Sequence, residues 1–290
     1  MLNYITWTVD PAIFTIFSRE IRWYGLFFAL GFLIGYQIEE KIFRHDNAPQ
    51  KWVDKIFIYT IIATVVGARL GHCLFYDWSY YSQHPLDIFK IWEGGLASHG
   101  GAIAIIIAIL IYSYKVTHRN PLWAFDRLVI PVALVGAMIR MGNLMNHEIY
   151  GHPTTLPWGF RFIENLSLWK YKGMEPVFSL PSHPTQIYEA LCYLTVFLIL
   201  MYMYWKKDAG RYQGLIFGVF LVGIFLSRFF IEFLKNPQEE FEVGMVLNMG
   251  QWLSIPFVLG GIYLIYRAIK KGKIEGVVNA GSMRQQAKKK

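Results

Sequence analysis

Residues 94–114 read GGLASHGGAIAIIIAILIYSY, twenty-one positions without an Asp, Glu, Lys or Arg. An apolar run of about 20 residues is the length at which an α-helix crosses a bilayer. A membrane strand would need only about ten residues and would alternate apolar with polar. Six further apolar stretches occupy 23–38, 56–76, 128–146, 187–205, 212–233 and 243–266, several reaching spanning length only through one embedded Arg or Glu. Together the runs predict seven membrane helices and an all-α integral membrane fold. Hydrophobic residues make up 54% of the 290-residue chain and charged residues 17%, against about 25% charged in soluble domains, which excludes an ordinary soluble enzyme. An aromatic content of 17% excludes a disordered chain and suits side chains anchored at a bilayer surface. Two cysteines leave no disulfide framework and no cysteine-rich metal site. No basic segment followed by a small-residue cleavage site precedes a run, so no cleaved signal peptide is expected.

The formal net charge is +8, from 28 Lys and Arg against 20 Asp and Glu. Whether that surplus serves a nucleic acid or a membrane depends on where it sits. Loops 41–55, 115–127 and 206–211, with the segment from Arg267 onward, hold eighteen of the basic residues; the alternate loops hold seven. Arg69, Arg140 and Arg228 fall inside spans. The positive-inside rule therefore predicts an outer amino terminus and a cytoplasmic carboxyl terminus, with no nucleic-acid partner. The longest loop, 147–186, would face outward. Its five prolines and many aromatics, among them Trp158, Phe160, Phe162, Trp169 and Tyr171, predict a small packed cap or interfacial amphipathic segments. The expected organisation is a seven-helix membrane domain over 1–269, cap included, and a basic cytoplasmic tail over 270–290 that acts mainly as a solvated orientation signal.

Polar residues inside spans are costly and usually functional. With this topology Tyr24, Arg69, His72, His99, Arg140, Asn143, Asn146, His183, Gln186, Glu189, Arg228 and Glu232 fall in one layer near the outer face. Spacings of three or four put Arg69 with His72, Arg140 with Asn143, and Arg228 with Glu232 on shared helix faces. Gly31 and Gly35, Gly67 and Gly71, and Gly214 and Gly218 form small pairs suited to close helix approach. Three arginines against Glu189 and Glu232 leave a positive surplus. Arginine cannot discharge itself, and a phosphodiester headgroup fits its planar fork. The bland alternative has Arg228 tied to Glu232, and Arg69 or Arg140 to Glu189, as buried pairs; three arginines together with histidines favour an anion pocket. Cys73 and Cys192 read as packing residues, and His72, His118, His147 and His152 do not make a metal set. A transporter or flippase for an anionic lipid or solute is the alternative of a different class, disfavoured because the inner halves of the spans are almost purely apolar. Another lipid-headgroup enzyme, with His99 as nucleophile or base, is the third reading.

Specific strings then resemble a known family. Arg22-Trp-Tyr-Gly25, Gly67-Ala-Arg-Leu-Gly71, Trp92-Glu-Gly-Gly95 and Ser98-His-Gly-Gly101 are similar to segments of the prolipoprotein diacylglyceryl transferases. The strongest match is Arg140-Met-Gly-Asn-Leu-Met-Asn-His-Glu-Ile-Tyr-Gly151, followed by His183-Pro-Thr-Gln-Ile-Tyr-Glu189, Arg228-Phe-Phe-Ile-Glu-Phe233 and Met249-Gly-Gln-Trp-Leu-Ser-Ile-Pro256. Their order covers residues 20–260. The resemblance implies a seven-span enzyme of the bacterial inner membrane, amino terminus outside, using no metal or organic cofactor. Such an enzyme transfers the diacylglyceryl group of phosphatidylglycerol to the lipobox cysteine of a prolipoprotein, the first step of lipoprotein maturation, and releases glycerol phosphate. By motif position it implies Tyr24, His99, Arg140, Asn143, Asn146, Glu148, Gly151 and Arg228 as active-site residues, supported by Arg69, Gln186, Glu189 and Glu232. His152 stands where many members have Arg, and Ile224 where many have Tyr.

The chemistry assigns roles. A thiol with a pKa of about 8.5 attacks well only as thiolate. Its target is an sp3 carbon of the lipid glycerol, and negative charge grows on phosphate oxygens as the C–O bond breaks. Arg140 and Arg228 are placed to stabilise that charge. His99 is the candidate base, or equally a neutral imidazole that positions a lipid oxygen. Tyr24, Asn143 and Asn146 orient the headgroup or bond between helices. Glu148, Glu189 and Glu232 hold arginines and helices in place.

Overall fold

In a computed structural model, residues 4–17, 19–91, 94–236 and 244–274 are described. Trp92 and Glu93, the expected start of the last span at 243, and the tail beyond 274 lie outside them. The elements run β1 (Ile5–Thr6), β2 (Ala12–Ile16), β3 (Arg19–Arg22), α1 (Trp23–His45), α2 (Gln50–Phe75), α3 (Trp78–Tyr81), α4 (Ser98–Tyr112), α5 (Pro121–Met145), β4 (Phe160–Arg161), α6 (Leu166–Lys172), α7 (Thr185–Lys207), α8 (Leu215–Ile231) and α9 (Met249–Lys271). Among the described residues, six helices are long and apolar enough to cross a membrane: α2, α4 continued to Thr117, α5, α7, α8 continued to Leu234, and α9. The protein is thus mostly helical and crosses the membrane several times. α1 is equally long but gathers Glu39, Glu40, Lys41 and Arg44 at its far end.

Helix limits follow local chemistry. Pro49 precedes α2 and Pro184 precedes α7, where a missing N–H costs nothing. Asn248 and Gln251 close a reciprocal capping box on α9, satisfying two otherwise orphaned donors. α7 ends on Lys206 and Lys207 with Asp208 left-handed, placing cations at the negative end of the helix. The helices outrun the apolar windows: α1 extends to His45 rather than 38, and α2 starts at Gln50 rather than 56. Backbone hydrogen bonding continues through the charged residues at these helix ends, whereas hydropathy stops at the first of them.

The described residues form two compact units, 4–35 with 128–274, and 36–127. In the 36–127 unit α2 packs on α4 at glycine. A Cβ on Gly100 would stand 2.4 Å from the Gly67 carbonyl oxygen and 2.6 Å from Gly71 Cα, so the pair at 67 and 71 gives the backbone-close crossing that small residues allow. At the other end of these helices Arg127 pairs with Asp46 at 2.6 Å and lies 4.5 Å from the Trp123 ring centroid.

In the larger unit Gly31 meets Val135, and Gly218 meets the Gly261 carbonyl. Gly214 has a different use, capping α8 at φ +89°, a left-handed value that glycine adopts freely. Among the described residues, four short strands lie outside the helical pattern. β2 and β3 form an antiparallel hairpin that leads directly into α1. β1 runs parallel to β4, pairing Ile5 with Phe160. The Trp7 indole N–H donates to the Leu144 carbonyl at 3.0 Å, and the rings of Trp7, Phe160, Phe162 and Tyr150 pack in series with centroids 5.6, 5.8 and 4.7 Å apart, the first pair tilted and the other two stacked. Lys170 of α6 ties Asp10 and Glu20 together. Burial alone would raise both carboxyls, but Lys170 together with the Ala12 N–H at Asp10, and with Tyr171 and Arg22 at Glu20, holds them below the usual carboxylate range.

Candidate active site

The signature Arg140–Gly151 covers the last turn and a half of α5 and the turn that follows. Arg140 and Asn143, three apart on one helix face, point the same way: the Arg140 guanidinium donates to Asn143 Oδ1 at 3.2 Å. Asn143 Nδ2 donates to Glu148 Oε1 at 2.8 Å, and Asn146 Nδ2 reaches the same oxygen at 3.2 Å. Glu148 thereby orients two amides. Arg140 Nε also pairs with Glu189 Oε2 of α7 at 3.0 Å, and its guanidinium lies 6.0 Å from the Tyr193 ring centroid. Tyr24, at the start of α1, packs its ring against Gly142, where a Cβ would come within 2.7 Å of it.

The turn after α5 is braced from α7. Gln186 Nε2 donates to the Glu148 carbonyl at 2.6 Å and Thr185 Oγ1 to the Ile149 carbonyl at 2.8 Å. Gly151 forms an isolated bridge with Lys235, so close that a Cβ would stand 2.2 Å from the Leu234 carbonyl oxygen. Any side chain there would push apart the two segments that carry Glu148 and Glu232. Gln186 Oε1, Asn146 Oδ1 and Arg228 Nε are buried without a protein hydrogen-bond partner among the described residues.

Beside this lies a chain of charges that the sequence reading undercounts. Lys235, assigned from sequence to an outer loop, is 4% exposed. Its ammonium bridges Glu189 at 3.1 Å and Glu232 at 2.8 Å. The spacing Glu232-Phe-Leu-Lys235, one helical turn, was the available signal. With Lys235 and Glu148 included, three cations (Arg140, Arg228, Lys235) face three carboxylates (Glu148, Glu189, Glu232), so the expected surplus from counting two carboxylates does not hold here. Charge is unevenly shared instead. Lys235 takes Glu232 closely and leaves Arg228 at 3.9 Å from its nearer oxygen, with 30% of the Arg228 side chain accessible. Arg228 is the least neutralised cation of the group.

Two expected site residues belong to the 36–127 unit. Arg69 is 3% exposed and spends its donors on backbone: Nε on the Ile88 carbonyl at 2.9 Å, Nη1 on Gly94 at 2.6 Å, and Nη2 on Asp87 at 2.6 Å. Its guanidinium also lies 5.0 Å from the Tyr81 ring centroid. It pins the segment that leads to α4. His99 sits in the first turn of α4, half-buried beside the Phe75 and Tyr76 rings at 5.6 and 5.5 Å. Ile224, at the position of a frequent tyrosine, packs on the cluster of Ala137, Ala190 and Tyr193, and the Tyr193 hydroxyl donates to Glu189 at 3.3 Å. His152 is exposed, its backbone N–H bonded to the Leu234 carbonyl. No group of three His, Cys, Asp or Glu able to hold a metal ion occurs among the described residues.

Comparison with known proteins adds an independent line. The family model described as prolipoprotein diacylglyceryl transferase matches residues 11–267. A protein of Porphyromonas gingivalis is 56% identical over 273 residues, covering 92% of this chain and 95% of its own length. Relatives in Tolumonas auensis and Chloroherpeton thalassium are 44% and 42% identical over 91% and 94% of this chain and 98% and 97% of theirs. All three carry the name phosphatidylglycerol–prolipoprotein diacylglyceryl transferase. Matched over nearly its whole length, signature segments included, the chain belongs to the prolipoprotein diacylglyceryl transferase family.

Proposed function

We propose that this protein transfers the diacylglyceryl group of phosphatidylglycerol to the lipobox cysteine of prolipoproteins in the bacterial cytoplasmic membrane. A sulfur–carbon bond forms at the glycerol carbon, the carbon–oxygen bond to phosphate breaks, and glycerol phosphate leaves with the electron pair. The observation that carries the reading is Arg228, a guanidinium held only at 3.9 Å by a Glu232 that Lys235 takes at 2.8 Å, inside a membrane protein of this family. A phosphodiester completes its coordination, and the growing phosphate charge strengthens the contact in the transition state. Arg140, steadied by Glu189 and Asn143, acts on the same phosphate. Asn143, Asn146 and Tyr24 orient the headgroup; Glu148, Gly151, Gln186, Glu189 and Glu232 fix the frame. Arg69 places the segment before α4, and His99 takes the thiol proton or positions a lipid oxygen.

In this reading α1 is a seventh span, the amino terminus and the 147–186 cap lie outside, the carboxyl end is cytoplasmic, and the site opens to the outer leaflet. Residues 1–269 form the catalytic domain and 270–290 a basic tail. Charge distribution supports the orientation; moving Lys235 from loop to site leaves the inner excess intact. Purified protein in phosphatidylglycerol vesicles with a lipobox peptide should yield diacylglyceryl-cysteine peptide, seen by mass spectrometry. Arg140→Ala should lower the rate at least about a hundredfold, the scale of losing one charge-stabilising donor. Absence of product, or an equal rate for the variant, overturns the reading.

A further inference from the structure

Between Asn146 and Glu148 stands His147, at φ +57°, with Ile149 at φ +62° two residues on. Left-handed backbone is uncommon outside glycine, and for a β-branched residue it is a true outlier that the surroundings must enforce. Ile149 is held by Thr185 and the Glu148 carbonyl by Gln186. His147 is held through both ring nitrogens. The Ile163 backbone N–H donates to Nδ1 at 3.1 Å, so that nitrogen must be the acceptor. Nε2 therefore carries the proton and donates to the Val9 carbonyl at 2.9 Å. The ring is 6% exposed, with the Phe162 ring edge-on at 6.2 Å. One imidazole thus connects the amino-terminal segment, the strand region after β4, and the turn that aims two site residues.

We propose that His147 is a positioning residue for the transfer reaction, locked as the neutral Nε2–H tautomer to hold the Asn146–Glu148 turn in its left-handed form. The role rests on the functional reading above. Asn143 and Asn146 share one Glu148 oxygen at 2.8 and 3.2 Å, and rotation of the turn would remove that oxygen from both amides. Displacement of about 1 Å at a catalytic group is enough to cost a hundredfold in rate.

Protonation opposes the lock, because Nδ1–H would then face the Ile163 N–H. Burial pushes His147 below the ordinary histidine value, outweighing the Val9 carbonyl and the Asp10 carboxylate, which favour the cation. Asp10 is itself paired with Lys170, and Glu148 is turned toward the two asparagines. With the folded value depressed, the lock is fully present above about pH 6.5 and is lost only as pH falls through the lowered value.

Two experiments test the proposal. In phosphatidylglycerol vesicles with a lipobox peptide, His147→Phe should lower kcat about a hundredfold with KM for the lipid nearly unchanged. His147→Asn, which keeps an acceptor oxygen at the Nδ1 position and tolerates left-handed backbone, should recover to within about threefold. Nitrogen-15 spectra of the histidine-labelled protein should show His147 as the neutral Nε2–H tautomer at about pH 7, becoming cationic at lower pH than free histidine. Wild-type protein without transfer would defeat the functional reading and this role with it. An active wild type matched by His147→Phe, no recovery by His147→Asn, an Nδ1–H ring, or a ring that becomes cationic no lower than free histidine would defeat this role alone.

Discussion

Lys235 shows what a single side chain decides in this site. Its ammonium lies between Glu189 and Glu232, and removing it would leave two carboxylates almost fully buried with less compensation. Breaking a buried ion pair by deleting one partner costs about 3–5 kcal/mol. Lys235→Met should therefore lower the thermal midpoint in detergent well beyond Lys235→Arg, which keeps the charge. It should also free Glu232 to close on Arg228 and weaken lipid binding, raising KM for phosphatidylglycerol. A midpoint equal to wild type would show that the bridge contributes nothing. Residue by residue, the motif positions around Arg140 and Arg228 were legible in the sequence, since the polar groups there stand out against apolar helices. Lys235 was not: a lysine just past a span counts as a loop charge unless one knows that the chain turns inward. Arg69 was legible as unusual, but its backbone carbonyl partners at 87–94 have no signature at all.

At the scale of elements, glycine spacing separates helix pairs that need contact from those that do not. Gly100 has the Gly67 carbonyl oxygen and the Gly71 Cα within the reach of a methyl group, whereas Gly260 has open space. Gly100→Ala should destabilise by about 1–3 kcal/mol, as overpacking does, and Gly260→Ala, inside α9 with nothing to collide with, should hold or slightly raise the thermal midpoint, since alanine favours a helix interior by up to about 1 kcal/mol over glycine. Similar shifts for both would deny that the α2–α4 crossing depends on backbone proximity. The helices themselves were readable from apolar runs because a bilayer demands about 20 such residues whatever the neighbours are. Their ends were not, because Glu39 to His45 remain helical after hydropathy has fallen. Nor were the strands, since a two-residue pairing between Ile5 and Phe160 has no period to detect.

For the whole molecule, the distribution of Lys and Arg makes a claim about sidedness. In a chain with Cys73 and Cys192 replaced by alanine, Lys172→Cys should react with an impermeant maleimide on intact spheroplasts. Lys273→Cys should react only after the membrane is opened. The reverse pattern would overturn the orientation. The two test positions lie in α6 and just past α9, away from the residues assigned to the reaction, so labelling and activity can be read on the same protein.

The pairing of β1 with β4 has a consequence for biogenesis. Ribosomes deliver Ile5 and Trp7 long before Phe160 exists, and by then α1, α2, α4 and α5 have already been made. The Ile5–Thr6 strand therefore has no strand partner until residues 160 and 161 are made, although the Leu144 carbonyl that accepts from Trp7 is already there. Completion of this pairing is in this sense timed by translation: an incomplete chain that stalls before residue 160 holds Arg140 and Asn143 but lacks β4, the Ile163 N–H that meets His147, and the Phe160 and Phe162 rings.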